Sequence, residues 1–180
     1  MIENYPIDFV VTWVDGNDPV WQAEKAKYSP NKNADNRNVR FRDWDNMQYW
    51  FRAVEKFAPW VNKIHFVTYG HLPKWLNIDN PKLNIVKHSD FIPQKYLPTF
   101  SSHSIELNLH RIEGLAERFV YFNDDMFLLR PVKRELFFAG KDCLPTDFAI
   151  TSTISTTTKE DMMPFIKLNC VTILLSLIHI

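Results

Sequence analysis

Residues 7–14 read IDFVVTWV, a β-branched and aromatic run that is apolar almost throughout. A strand with one wet face alternates polar and apolar residues. This run leaves little for water on either side, so it belongs in a parallel sheet covered on both faces, the arrangement of α/β proteins. Residues 63–69, KIHFVTY, repeat the pattern and stop at Gly70, and residues 83–86 and 118–122 supply two shorter runs. Between the first two, residues 45–57 carry Met47, Trp50, Phe51, Val54 and Phe57 at helical spacing before Ala58-Pro59 closes the segment. Strand, helix, strand, loop, strand is the order of a parallel or mixed sheet with covering helices.

The chain has 180 residues, enough for one domain with a sizeable core, and neither a repeat nor a domain boundary stands out. Its 21 basic and 21 acidic side chains balance, which removes any bulk attraction to nucleic acid or an anionic membrane. Cys143 and Cys170 have neither metal-site spacing nor a disulfide framework. The N-terminus lacks the basic and apolar regions of a cleaved secretory signal, and the apolar run from Cys170 onward is too short to span a bilayer. Residues 175–180, LSLIHI, read as translation past the edge of a gene segment, so the natural protein is expected to continue beyond residue 174.

Chemistry concentrates at three places. The run RFVYFNDDMFL, residues 118–128, ends a strand in Asn123, Asp124 and Asp125. Adjacent carboxylates repel, and a rigid strand end that keeps them together suits a divalent cation, although a solvated Asn-Asp turn reads the same way. Asp15-Gly16-Asn17-Asp18-Pro19 follows the first strand, where α/β folds put a ligand loop. With no GxGxxG and no Walker loop, Trp13 would stack on a base while Asp15 and Asp18 accept from base or ribose; a core Trp and a capping Asp are the alternative. In residues 97–111, Ser101 or Ser102 caps a helix whose Ile105, Leu109 and Ile112 face the core. Glu106 and His110, four apart, share another face and either act on a hydroxyl proton, join a metal shell, or form an exposed helix pair. Arg40 and Arg42 precede the first long helix, placed for a phosphate or for a salt bridge to Asp43 or Asp45. His65, His71 and His88 read as structural. The later Ser/Thr-rich stretch, residues 147–158, suggests a strand at 148–152.

In order and spacing these segments resemble the Stealth family of sugar-phosphate transferases, which includes bacterial capsular polysaccharide phosphotransferases. IDFVVTWVDGNDPVW, residues 7–21, resembles the first conserved region. RFRD, FAPWVNKIHFVTYG, PKWLN, LPTFSSHSIELNLHRIEGL and RFVYFNDDMF, within residues 40–128, resemble the second. MMPFIKLNCVTIL, residues 162–174, resembles the start of the third; the fourth is missing, so the resemblance implies the N-terminal part of one catalytic domain, inactive alone.

The resemblance implies an incomplete α/β fold like that of nucleotide-diphospho-sugar transferases, Rossmann-like, with a mixed, mostly parallel sheet flanked by helices. It implies transfer of a sugar 1-phosphate, commonly GlcNAc 1-phosphate from UDP-GlcNAc, to a hydroxyl of a polysaccharide or glycan acceptor, with release of UMP. Thr12, Trp13, Val14, Asp15 and Asp18 would then lie in the uridine loop and Arg40 would contact phosphate. Asp124 and Asp125 would bind or neighbour Mg²⁺ or Mn²⁺, Asp125 also joining the catalytic group; Glu106 would face them, with His110 a fallback base. A bacterial cytoplasmic enzyme, peripheral to the inner membrane, is the expected setting. A metal-dependent glycosyltransferase releasing UDP, and a carbohydrate-binding module using exposed Trp residues, are the alternatives.

Overall fold

The computed structural model describes residues 5–28, 44–139 and 144–146, all within the first of two units, residues 1–146 and 147–180. Arg40, Arg42, both cysteines, and the segments at 147–158 and 162–180 lie outside the described residues.

Four parallel strands form the sheet: β1 (Ile7–Trp13), β2 (Ile64–Thr68), β3 (Leu83–Lys87) and β4 (Arg118–Phe122). Their spatial order is β3-β2-β1-β4, with Val11 opposite Val67's neighbour Phe66 on one side and Phe122 on the other. All described pairings in this sheet are parallel, so the mixed character expected is confined to a separate antiparallel pair, β5 (Phe138–Ala139) and β6 (Leu144–Pro145). The continuous apolar run was thus a sound indicator: β1 is one of the two inner strands, paired with β2 on one side and β4 on the other.

Strand parity sorts the core into two layers. Ile7, Phe9, Val11 and Trp13 point to one face and pack with Met47, Trp50 and Val54 of helix α2 (Met47–Phe57). Trp50 is fully buried edge-on to Phe122, so the N-terminal half of α2 lies beside the C-terminal end of β4. Truncating an aromatic in such a site costs roughly 3–5 kcal/mol. Val10 points the other way, onto Val67, Val86 and the buried Ile105, Leu109 and Ile112. That second layer is covered by short pieces, α3 (His88–Phe91), α4 (Ser102–Glu106) and a 3₁₀ turn at Leu109–Arg111.

Helix α1 (Pro19–Lys27) begins directly after the first loop. Asp18 accepts from the Val20 and Trp21 amides at 2.8 Å each, and Pro19 opens the helix where a missing N–H costs nothing. Its only buried residue is Trp21, and this thin apolar face explains why periodicity alone passes over it.

A second buried centre sits at the opposite, N-terminal end of the strands. Asp8, wholly buried, accepts from His65 Nε2 (2.9 Å), Asn62 (2.8 Å) and the amides of Lys63 (3.1 Å) and Ala116 (2.8 Å). His65 Nδ1 in turn accepts from Asn84 at 2.9 Å, so the ring is the Nε2–H tautomer. Burial pushes the Asp8 carboxyl up, but the bonds from His65, Asn62 and Ala116 outweigh it and hold the acid below its usual value. This sealed Asp–His–Asn chain ties β1, β2, β3 and the lead into β4 together. His65 is structural, as its place in a strand suggested.

Candidate active site

The chain leaves β1 toward β2 and β3 on one side and returns to β4 on the other. The carboxyl ends of β1 and β4 therefore flank the topological switch point, where open α/β sheets hold ligands. Both polar motifs are there: residues 14–18 follow β1, and Asn123, Asp124 and Asp125 follow β4.

Tyr121 joins them. Strand parity turns it to the same face as Val10 and Thr12, toward α4. Its hydroxyl lies 2.8 Å from Asn123 Oδ1, 3.2 Å from Thr12 Oγ1 and 3.4 Å from Glu106 Oε1. The phenol donates to Asn123 over the shorter distance and to Glu106 over the longer one, its single proton divided between two acceptors, while Thr12 donates in to the phenol oxygen. Burial pushes the phenol up to about 12, and the charges of Glu106 and Asp124 act in the same direction, so the hydroxyl stays protonated at neutral pH. Neither the strand run nor the NDD motif singled out Tyr121; the period of two along β4 was the available signal.

The first loop is held by His71, also passed over as merely structural. Gly70, with φ of +135°, turns the chain out of β2. His71 Nε2 then accepts the Asp15 amide at 2.7 Å, which leaves the proton on Nδ1, 3.4 Å from Asp18 Oδ2. Asp15 Oδ1 accepts from Asn17 N at 2.8 Å, forming a tight Asx turn. Phe100, just ahead of α4, packs between Trp21 and Tyr69 at 5.8 and 5.9 Å, and the Tyr69 hydroxyl donates to Glu24. The ends of β1, β2 and β4 and the start of α4 thereby meet on one side of the sheet.

Three expectations change. Trp13 is only 6% exposed and stacks on Phe66 at 5.7 Å, so it is a core residue beneath the loop rather than an open plane for a base. Asp18 is a helix cap: the Trp21 and Val20 amides hold its pKa below the usual carboxylate range and occupy Oδ1. Glu106 and His110 do not share one helix. Asn108 donates to Ser104 O at 2.8 Å, the α-helix stops at Glu106, and His110 sits exposed on the separate 3₁₀ turn. Glu106 reaches the Tyr121 cluster and His110 does not. Val14 and Thr12 are half-buried at the end of β1.

Asp124 and Asp125 are exposed in the turn closed by Met126 N to Asn123 O at 3.1 Å. Among the described residues no group of three or more His, Cys, Asp or Glu side chains gathers around a common point. The donor set is then two carboxylates and an amide oxygen, hard ligands that suit Mg²⁺ when substrate oxygens and water complete its shell. Two surface cavities, of about 410 and 400 Å³, share no lining residue with this cluster and lie along α2 and along β3.

The family models place these features. Conserved region 1 of the Stealth proteins matches residues 5–33, and conserved region 2 matches residues 40–144, more than half of the chain. The chain belongs to the Stealth family. The first region covers β1, its loop and α1; the second runs through the NDD turn. This Stealth protein is 54% identical over 167 residues to the capsular polysaccharide phosphotransferase WcwK of Streptococcus pneumoniae, covering 92% of this chain and 50% of that one. It is 56% identical over 143 residues to the receptor polysaccharide phosphotransferase WefC of Streptococcus oralis, covering 77% and 43%. The exopolysaccharide phosphotransferase cps2G of Lactiplantibacillus plantarum is 50% identical over 150 residues, covering 83% and 44%. The chain thus spans about half the length of these relatives. No helix among the described residues is long and apolar enough to cross a membrane.

Proposed function

We propose that this Stealth protein carries the donor half of a polysaccharide phosphotransferase site, one that moves a sugar 1-phosphate from a UDP-sugar, GlcNAc 1-phosphate in the leading case, to a hydroxyl of a growing glycan. The observation that carries the reading is the meeting of Thr12, Tyr121, Asn123 and Glu106 at the switch point, within bonding reach of one phenol oxygen. The names of the relatives support the reaction class, and the α/β sheet with its ligand side at the carboxyl ends suits a nucleotide-sugar-transferase-like fold.

In this reading the acceptor oxygen forms a new bond to the phosphorus that bears the sugar. The bond from that phosphorus to the bridging anhydride oxygen breaks, and the oxygen leaves on the uridine-side phosphorus as UMP. The acceptor's proton goes to a base, for which Glu106 is the carboxylate at the cluster; Tyr121, which also bonds Asn123, orients it. The His71-clamped loop, through Asp15 and the backbone of residues 14–17, would hold the uridine side, and Arg40 would meet the diphosphate. Asp124 and Asp125 would hold Mg²⁺ or Mn²⁺, whose chemistry is to neutralise the diphosphate charge. The setting would be the bacterial cytoplasm, where nucleotide sugars are made.

The test is the nucleotide released by a chain of the relatives' full length that contains these residues, supplied with UDP-GlcNAc, a glycan acceptor and Mg²⁺. UMP is expected, and its release should stop with EDTA and fall by roughly a hundredfold or more in the Asp124→Asn, Asp125→Asn double variant. UDP as the product would replace phosphoryl transfer by glycosyl transfer. Full activity in the double variant would remove the metal assignment.

A further inference from the structure

The larger cavity is a groove along the outer side of α2. Gln48, Arg52 and Glu55, at positions i, i+4 and i+7 of the helix, form one wall, and Trp75, Asn77 and Asn80 form the other. At about 410 Å³ it falls within the roughly 300–1,000 Å³ of small-molecule sites. Its direction follows from the fold. The Phe57 and Ala58 end of α2 is tied to the N-terminal edge of the sheet, since Val61 N bonds Ala58 O and Asn62 N bonds Ile7 O. Trp50, one turn into α2, packs on Phe122 at the carboxyl edge. The groove therefore follows α2, with Gln48 toward the carboxyl edge and Ile64 and Leu83, the first residues of β2 and β3, at the amino edge.

Its chemistry selects among ligands. Trp75 is 37% exposed and is braced edge-on by Phe51 at 5.7 Å, which fixes an aromatic plane in the groove. The Lys82 ammonium is engaged by the Pro59 and Val61 carbonyls at 2.9 Å each, and Arg52 shares its helix face with Glu55. The lining thus offers no concentrated positive charge for a phosphate or nucleotide. What it offers is an aromatic plane beside the side-chain amides of Gln48, Asn77 and Asn80. Asn77 Oδ1 and Asn80 Oδ1 already accept from the Asp79 and Lys82 amides, which turns their NH₂ groups out as donors, and the set matches a pyranose with an apolar C–H face and hydroxyls around its edge.

We propose that this groove is a glycan-binding site separate from the transfer site, which seats an uncharged stretch of saccharide chain with Trp75 as its stacking platform. The choice of ligand rests on the polysaccharide reading above; the site itself does not. Helix α2 covers the Phe9 face of the sheet and Glu106 lies on the Val10 face, so the groove would hold a stretch of saccharide chain on the side away from Glu106, with its Gln48 end toward the carboxyl edge.

The experiment is saturation-transfer NMR with isothermal titration on the full chain, without nucleotide or metal, using lactose, N-acetyllactosamine and cellotriose as probes. Binding of at least one probe is expected. Trp75→Ala should weaken it at least about tenfold, the loss typical of truncating an aromatic anchor, and Trp75→Phe should restore part of it. Because Trp75→Ala also removes packing on Phe51, a Gln48→Ala, Asn77→Ala variant with unchanged melting temperature provides an independent reading and should also bind more weakly. The Asp124→Asn, Asp125→Asn variant should bind as the parent does. No binding of any probe, or equal binding by parent and both groove variants, overturns the groove. UMP release without groove binding would leave the transferase reading standing and sink this one, while groove binding without UMP release would do the reverse.

Discussion

Replacing His88 by Phe should remove most of the acid sensitivity of this fold between pH 7.5 and 5. His88 opens α3 at 8% exposure, edge-on to the Tyr69 ring at 6.0 Å, and its Nδ1 finds no hydrogen-bond partner among the described residues. Burial is the main cause and pulls its pKa down from 6.5 to about 4. The native state therefore holds the ring neutral where the unfolded chain would already bind a proton. Its contribution is whole above pH 6.5 and is lost as pH falls through that value toward about 4. At about 1.4 kcal/mol per pH unit the full linkage is about 3 kcal/mol, of which about 2 kcal/mol disappears by pH 5. Urea unfolding of parent and His88→Phe at pH 7.5, 6 and 5 measures it directly. The parent should lose about 2 kcal/mol more than the variant over that interval. Parallel stability profiles for the two proteins would refute the argument, because every other titrating group is common to both.

Two further outcomes concern the two buried centres. Asp8→Ala should destabilise the fold by roughly 3–5 kcal/mol in thermal unfolding, since it strands the His65, Asn62, Lys63 and Ala116 donors at once. In the parent the same acid, held below its ordinary 3.8, stabilises fully above that pH and loses its effect as pH falls through its lower native value. Tyr121→Phe should cost only about 1 kcal/mol of stability yet lower kcat by about tenfold or more, because Glu106 and Asn123 lose their common partner. Combined with Glu106→Gln it should fall short of the product of the single losses, and strict multiplicativity in kcat/KM would show that the two side chains act independently.

Much of the fold could be read from residue order because local pattern and burial agree in a parallel sheet. β1, β2, β3 and β4 fall within a residue or two of the apolar runs that suggested them, and α2 begins and ends where its apolar spacing does. What escaped was set by partners distant in sequence. Asp8 drew no reading from the sequence, and only the pairing of β1 with β2 brings His65 and Asn62 to it. Trp13 could be read as a stacking ring for a base or as a core Trp, and parity decides for the core by pointing it to the α2 face, where Phe66 covers it.

The candidate site shows the same division at finer scale. The carboxylate pair was legible because its position at a strand end is local, whereas the residue that links it to Glu106 was not. Period-two alternation puts Tyr121 and Phe122 on opposite faces, but which face meets α4 depends on the β1–β4 register, Val10 opposite Tyr121 and Val11 opposite Phe122. Slip that register by one residue and Phe122 would replace Tyr121 beside Thr12, leaving Glu106 without the hydroxyl that now connects it to the NDD turn. The buried Asp8 bond to the Ala116 amide, just ahead of β4, pins that register from the far end of the strand. The sealed acid at one end of the sheet and the open cluster at the other are in this sense one device: the first sets the alignment on which the second depends.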